Sequence, residues 1–205
     1  MAAETVPEVV KLHIDTFSGY RHIGIGRAYV RAFLEWFRQA DRSIALVAIN
    51  SYGQVIGYVV GAPVGYGRAM NRDLLWVATK GMILRPWIFF SGQFRRVIMS
   101  RLGIVFGYSF VSDTEPNLSE PTMSLVSIAV SPSERGNRVG RHLIQAFEEK
   151  SRQLGMQSMR LSVFPSNRVA RRFYECSGWQ SFSGPLRETG EMFYLRVLSR
   201  RGSKS

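Results

Sequence analysis

The 205-residue chain has 45% hydrophobic and 20% charged residues, the composition of an ordinary folded domain, which argues against an intrinsically disordered protein. Its formal net charge of +12 predicts an anionic ligand or partner: nucleic acid, a membrane surface, an acidic carrier protein or a phosphorylated cofactor. The single cysteine, Cys176, excludes an internal disulfide and is typical of a reducing compartment, so we expect a cytoplasmic protein.

The first third of the chain predicts two helices followed by a β-hairpin. Apolar residues recur at helical spacing in VPEVVKLHIDTF (6–17) and GRAYVRAFLEWFRQA (26–40). SIALVAIN and QVIGYVVGA flank the turn sequence SYG, which is typical of a hairpin. No strand of ordinary length is predicted before the first helix.

Residues 63–122 are predicted to form a mostly helical, basic insert between two strands. Residues 68–101 have a helical pattern that is interrupted at Arg85-Pro86, and the apolar run around that point is well short of the ~20 residues of a membrane span. Aromatic residues such as Trp76, Trp87 and Phe90 favour helices that cover the sheet or form a homodimer interface. A lid over a substrate pocket, a peripheral membrane contact and a dock for an acyl-carrier protein are the alternatives.

The second half predicts alternating strands and helices. A strand over 123–130, a helix that begins near 139, and a strand over 158–164 form a parallel crossover unit. A helix capped by Ser166 or Asn167 and a final strand, GEMFYLRVL, follow. We therefore expect residues 1–205 to form a single mixed α/β domain.

The loop VSPSERGNRVGRHL (130–143) joins a strand to a helix and is predicted to bind an anion. The N-terminus of a helix exposes backbone N–H groups, and Gly136 and Gly140 allow a ligand to come close. Arg135, Arg138 and Arg141 add charge. Neither the Gly-Lys-Ser/Thr of a Walker loop nor the dinucleotide fingerprint with its later acidic residue fits this loop.

Two blocks of the sequence resemble the GNAT superfamily of CoA-dependent N-acetyltransferases. AVSPSERGNRVGRHLIQAFEEKSRQLG contains Val-x-Pro followed by most of Arg-x-x-Gly-x-Gly, and LSVFPSNRVARRFYECSGW contains the spacing Asn-x-x-Ala-x-x-x-Tyr-x-x-x-Gly-aromatic. The resemblance is clear over 123–183 and weaker over 6–62. It implies a mainly antiparallel twisted sheet flanked by helices, with 63–122 as an insert between the family's third and fourth strands.

The resemblance also implies an activity, the transfer of an acetyl group from acetyl-CoA to a primary amine by direct attack through a tetrahedral intermediate. A longer acyl-CoA donor, an acyl-carrier-protein donor and a non-catalytic CoA-binding protein are alternatives. Nucleic-acid binding is disfavoured because no recognition-helix or stacking-sheet motif accompanies the charge.

By the same resemblance, particular residues bind the cofactor or act on it. The pyrophosphate would lie on the backbone amides of 135–141, the strand at 128–130 would bind the pantetheine arm and supply the oxyanion N–H at or near Val130, and Tyr174 would protonate the departing sulfur. The implied cofactor-binding residues are Ile128, Ala129, Val130, Arg135, Gly136, Asn137, Arg138, Val139, Gly140, Arg141, Asn167 and Phe173.

Arg138 departs from the family pattern, because it stands where the middle glycine is expected. If φ is positive there, an arginine costs on the order of 1 kcal/mol. One interpretation is that its dihedral angles are ordinary helical values. The other is that the guanidinium binds the pyrophosphate or the 3′-phosphate and offsets the strain.

The general base is not identified by the sequence. The strand that ends at Val130 offers Ser124 and Ser127 but no carboxylate, whereas Glu115, Glu120, His13 and His22 are candidates from other segments. The histidines, including His142, have no neighbours at metal-ligand spacing, so no metal site is expected.

Overall fold

The computed structural model describes residues 1–17, 26–83, 121–182 and 191–198. Five α-helices lie within these ranges, and short 3₁₀ turns precede α1 and α4. The helices are α1 (Val6–Thr16), α2 (Arg27–Gln39), α3 (Tyr66–Ile83), α4 (Val139–Gln153) and α5 (Arg168–Cys176).

The strands form one six-stranded sheet in the order β1-β2-β3-β4-β6-β5. They are β1 (Ile44–Ile49), β2 (Val55–Pro63), β3 (Thr122–Val130), β4 (Ser158–Val163), β5 (Gln180–Ser181) and β6 (Met192–Val197). Neighbouring strands are antiparallel except β3 and β4, which are parallel. The expected mixed α/β fold with a mainly antiparallel sheet is confirmed; the two-residue β5 was not predicted.

The side chains of β2 point alternately to the two faces of the sheet, and each face is covered by different helices. Tyr58 and Val60 point to one face, where they pack with α1 and α2, and Val59 points to the other, where it packs with α4. Because successive side chains of a strand point to opposite faces, a strand buried on both faces reads as a continuous apolar run, as β2 does.

The parallel pair β3–β4 is short. The strands pair only from Thr122↔Ser158 to Ser124↔Arg160, where the hydroxyls of Thr122 and Ser158 also lie 2.6 Å apart. Beyond Ser124 the two strands diverge while β3 continues to pair with β2. This divergence opens a gap in the middle of the sheet.

The described part of the insert is α3, which packs on α2; the Nε1 of Trp36 donates a hydrogen bond of 3.0 Å to Asp73 on α3. The predicted second helix with Trp87 and Phe90 lies outside the described residues, as do His22, Glu115 and Glu120. Among the described helices, none combines the length and apolar character that crossing a bilayer requires.

Candidate active site

A single continuous cavity of about 1000 Å³ occupies the gap in the sheet. It begins at the loop before α4, follows β3 and the end of β4, and reaches the aromatic side chains between α1, α2 and the start of α3. The cavity is therefore elongated, with a charged end at the loop and an aromatic end at the helices.

At the charged end, the start of α4 presents free backbone donors. The first hydrogen bond that closes the helix runs from His142 N to Arg138 O, over 3.0 Å. The N–H groups of Val139, Gly140 and Arg141 precede it, so they and the positive end of the helix dipole are directed to the cavity. Gly136, with φ at 91°, makes the turn that brings the loop there. This arrangement suits a phosphate or pyrophosphate.

Arg138 is the N-cap residue of α4, with φ 61° and ψ 6° in the left-handed region. The interpretation with ordinary helical dihedral angles is therefore wrong. Its side chain makes no capping hydrogen bond to the helix, and it lines the cavity. The strain of a left-handed arginine is thus present in a residue that lines the candidate phosphate site.

Gly140 allows a close contact between two helices. A Cβ atom added there would lie 3.2 Å from Cζ and 3.3 Å from Cε2 of Phe173 on α5. We expected this glycine to permit close approach of a ligand; the structure shows that its open side is occupied by the Phe173 ring. The contact joins the two sequence blocks that carry the resemblance.

The free edge of β3 faces the gap. Ser131 N donates to Ile56 O of the β2 side over 2.8 Å. Because successive N–H groups of a strand point to opposite edges, those of Val130 and Ile128 are directed away from β2 and into the gap. An extended ligand arm can therefore pair with β3 where β4 does not.

Tyr174 lies on the other wall of the gap. It is 7% exposed, and its ring packs against those of Trp179 and Tyr194 with centroids 6.0 and 6.2 Å away. Asn167 begins the same helix, its side-chain oxygen accepting a hydrogen bond of 3.1 Å from Ala170 N. Local capping and core packing thus fix the position of the tyrosine.

Twelve of the thirteen residues that the resemblance implied line this one cavity, and Asn137 does not. The side chain of Asn137 donates instead to Glu134 over 3.0 Å. The lining members are Ile128, Ala129, Val130, Arg135, Gly136, Arg138, Val139, Gly140, Arg141, Asn167, Phe173 and Tyr174.

The aromatic end contains a hydrogen-bonded group that the sequence did not reveal. His13 Nδ1 is hydrogen-bonded to the hydroxyl of Tyr58, which lies 2.8 Å from Ser127 Oγ. His13 packs between the rings of Phe17 and Phe33, at centroid distances of 4.9 and 5.9 Å. Burial raises the pKa of Tyr58, the Ser127 hydrogen bond lowers it in part, and Tyr174 raises it again. Tyr58 is thus a neutral phenol.

Comparison with curated protein sequences found no match. The acetyltransferase (GNAT) family model matches residues 40–179. A solved acetyltransferase structure has a TM-score of 0.62 at 17% identity, with 97% of each chain covered. An aminoglycoside 6′-N-acetyltransferase in complex with coenzyme A has a TM-score of 0.57 at 12% identity, covering 98% of this chain and 94% of its own. The ribosomal-protein-S18-alanine N-acetyltransferase of Escherichia coli has a TM-score of 0.51 at 12% identity, and the match covers 100% of this chain and 95% of the other.

The family match spans more than half of the chain, and these likenesses show the same fold. The chain belongs to the GNAT acetyltransferase family. The gap between β3 and β4, the start of α4 and the helix α5 are therefore parts of an acetyltransferase-family fold.

Proposed function

We propose that this protein transfers an acetyl group from acetyl-CoA to a primary amine by direct attack through a tetrahedral intermediate. The observation that carries the proposal is the continuous cavity, which joins the N-terminal end of α4 to a strand edge, both with backbone N–H groups directed into it. An extended thiol ester with a phosphorylated end matches that order of groups.

Each wall of the cavity has a part in the transfer. The loop at 135–141 holds the phosphates, and the edge of β3 aligns the extended arm so that a backbone N–H near Val130 stabilises the oxyanion. Tyr174 supplies a proton to the departing sulfur. The acceptor amine enters from the aromatic end, between α1 and α2.

The first test is thermal unfolding of the full chain with and without acetyl-CoA, followed by thiol release with a panel of amines. Saturation at a hundred times the dissociation constant should add about 2.7 kcal/mol to the free energy of unfolding, a rise in melting temperature of roughly 5 to 10 °C. The panel contains 2-phenylethylamine, glucosamine, spermidine, an amino acid amide and an alanyl peptide.

Tyr174→Phe should keep the thermal shift and lower the transfer rate about 10²-fold, because it removes the proton donor and leaves the packing in place. Tyr52→Phe is the matched control, since Tyr52 is 86% exposed in the β1–β2 turn. No thermal shift with acetyl-CoA would contradict the proposal. A shift without transfer to any amine would favour a longer acyl donor, a carrier-protein donor or a CoA-binding protein without turnover.

A further inference from the structure

Three side chains from three elements form a hydrogen-bonded chain at the aromatic end of the cavity. His13 lies on α1, Tyr58 on β2 and Ser127 on β3, with the Tyr58 hydroxyl bonded to both neighbours. His13 is 1% exposed and Tyr58 is fully buried, yet His13 and Ser127 both line the cavity. The chain thus runs from the cavity wall at Ser127 through a buried phenol to an imidazole.

The pairing of β2 with β3 explains why these groups meet. Ser127 pairs with Val60, so it faces the same side of the sheet as Val60 and Tyr58. The helix α1 packs on that side and places His13 above the Tyr58 hydroxyl. The arrangement therefore results from backbone register and helix packing and needs no ligand to form.

The direction of the hydrogen bonds decides what the chain can do. A phenol has a single hydrogen to donate. If Ser127 donates to Tyr58, then Tyr58 donates to Nδ1 of His13, and the lone pair of that nitrogen ends the chain. In this direction Ser127 Oγ is left to accept a hydrogen from the cavity.

We propose that Ser127, Tyr58 and His13 are the path by which the acceptor amine loses its proton, an inference that rests on the proposed acetyl transfer. An ammonium N–H bond breaks as its proton binds Ser127 Oγ. The Ser127 proton moves to the Tyr58 oxygen, and the Tyr58 proton moves to His13 Nδ1. The products are a neutral amine, unchanged hydroxyls and an imidazolium; after the acetylated product leaves, the proton returns along the same path to solvent in the cavity, which restores the starting tautomer of His13.

The second proton of the reaction is balanced at Tyr174. Collapse of the tetrahedral intermediate breaks the carbon–sulfur bond, and Tyr174 donates its proton to the sulfur. The nitrogen then loses its remaining excess proton to the Tyr174 oxygen. Ser127 is the catalytic residue of the path, because it touches the amine; Tyr58 and His13 are positioning residues that act through it.

The carboxylates that line the described part of the cavity lie outside the three elements that carry this path. Glu134 lies in the loop before α4, where it accepts a hydrogen bond from Asn137, and Glu191 lies immediately before β6. Neither is on α1, α2 or β2.

The test compares Tyr58→Phe, Ser127→Ala and His13→Asn with wild type, using the fastest amine of the panel and hydroxylamine. We expect kcat/KM for the amine to fall about 10²-fold near neutral pH, mainly through kcat, and to recover at alkaline pH, where the free amine forms. Hydroxylamine is unprotonated at neutral pH, so its transfer should change little. The thermal shift with acetyl-CoA should be retained.

Tyr52→Phe is again the control. Tyr52 loses the same hydroxyl in the β1–β2 turn, where it is 86% exposed and does not line the cavity. It should leave both transfers unchanged. Equal losses with the amine and hydroxylamine would overturn the path, as would full activity of His13→Asn, which keeps a polar group but no base.

A second measurement tests the path without activity. Nitrogen-15 NMR of the histidine-labelled full chain should show an unprotonated Nδ1 at His13 whose signal shifts in Tyr58→Phe. A proton on Nδ1 would mean that His13 donates to Tyr58, so that the hydrogen bonds run in the opposite direction. That result would overturn the inference even if acetyl transfer is established. Conversely, a wild-type protein that binds no acetyl-CoA would contradict the proposed function, whatever the state of Nδ1.

Discussion

Two arginines in the described ranges adopt the left-handed conformation, Arg138 with φ 61° and Arg42 with φ 56°. They differ in what surrounds them. Arg138 lines the charged end of the cavity, whereas Arg42 donates a hydrogen bond of 2.9 Å to Leu154 O on the surface. Both arginines have backbone strain, but only Arg138 lines the cavity. A comparison of the two therefore distinguishes the effect of the strain from the effect of ligand contact.

Replacing Arg138 with glycine should have opposite effects on stability and on affinity. Without ligand, relief of the left-handed strain should raise the free energy of unfolding by about 1 kcal/mol. Loss of a charge-assisted hydrogen bond of about 1.5 to 3 kcal/mol should weaken acetyl-CoA binding by at least about tenfold. Thermal unfolding and calorimetric titration measure the two effects separately.

Arg42→Gly is the control for that experiment. It relieves comparable strain and loses one exposed hydrogen bond, so its stability should change little and its acetyl-CoA affinity should equal that of wild type. Equal affinities for Arg138→Gly and wild type would show that the guanidinium does not bind the phosphates.

The candidate site was predictable where its residues are neighbours in sequence. Gly136 to Arg141 are contiguous and lie between a strand pattern and a helix pattern, so this local context indicated an anion site. His13, Tyr58 and Ser127 could not be found in this way, because the hydrogen bonds join residues 45 and 69 positions apart. Only strand register and helix packing bring them together.

At the scale of elements, α4 and α5 meet where Gly140 lies under the ring of Phe173. The start of α4 is the candidate phosphate site and α5 carries Tyr174, so this contact sets the spacing between the two parts of the candidate active site. Gly67 occupies the equivalent second position of α3, but a Cβ there would meet nothing within 4 Å.

Alanine at these two glycines should have different effects. Gly67→Ala should stabilise the protein by up to about 1 kcal/mol through helix propensity. Gly140→Ala gains the same propensity but presses on Phe173, and overpacking costs about 1 to 3 kcal/mol; we expect no gain or a net loss, together with weaker acetyl-CoA binding. If thermal unfolding shows that Gly140→Ala stabilises the protein as much as Gly67→Ala, then α4 and α5 can move apart at no cost and the contact of Gly140 with Phe173 does not constrain them.

Periodicity predicted the described helices and the longer strands, since each buries an apolar stripe or face. It missed β5, because a two-residue strand has no period and exists only through its pairing of Gln180 with Leu195. The φ of Arg138 was also not predictable, because the loop closes against β3 and α5, and that tertiary closure decides the dihedral angle.

At the scale of the molecule, an ion pair crosses from one half of the sheet to the other. Arg196 on β6 lies 3.0 Å from Glu148 on α4, and it also donates to Ser177 O after α5. Burial raises the pKa of Glu148, although Arg196 and Arg152 lower it in part. Glu148 is 5% exposed, so it depends on its arginine partners.

Arg196→Met should lower the free energy of unfolding by about 3 kcal/mol at neutral pH, because it leaves a buried carboxylate with less compensation. Because the pKa of Glu148 is raised in the folded protein, the folded protein binds more protons than the unfolded chain once the pH exceeds the ordinary carboxyl pKa. The loss of unfolding free energy in Arg196→Met should therefore grow as the pH rises through this range and shrink on acidification. Denaturant unfolding at several pH values measures this.

Arg38→Met is the control for the ion pair. Arg38 pairs with Glu35 on the same helix, with side chains 29% and 23% exposed, so its loss should cost less than about 1 kcal/mol. A deficit for Arg196→Met that does not change with pH would show that Glu148 is not the cause.

The gap between β3 and β4 has a mechanical consequence. It divides the sheet into two plates. One plate consists of β1, β2 and β3, and α1, α2 and α4 pack on its faces; the other consists of β4, β6 and β5 together with α5. The plates share a strand ladder of only three residue pairs at one end. A molecule bound in the gap, as proposed for acetyl-CoA, would contact both plates where β3 and β4 do not pair with each other. It would then hold the two parts of the sheet together where the strands themselves do not.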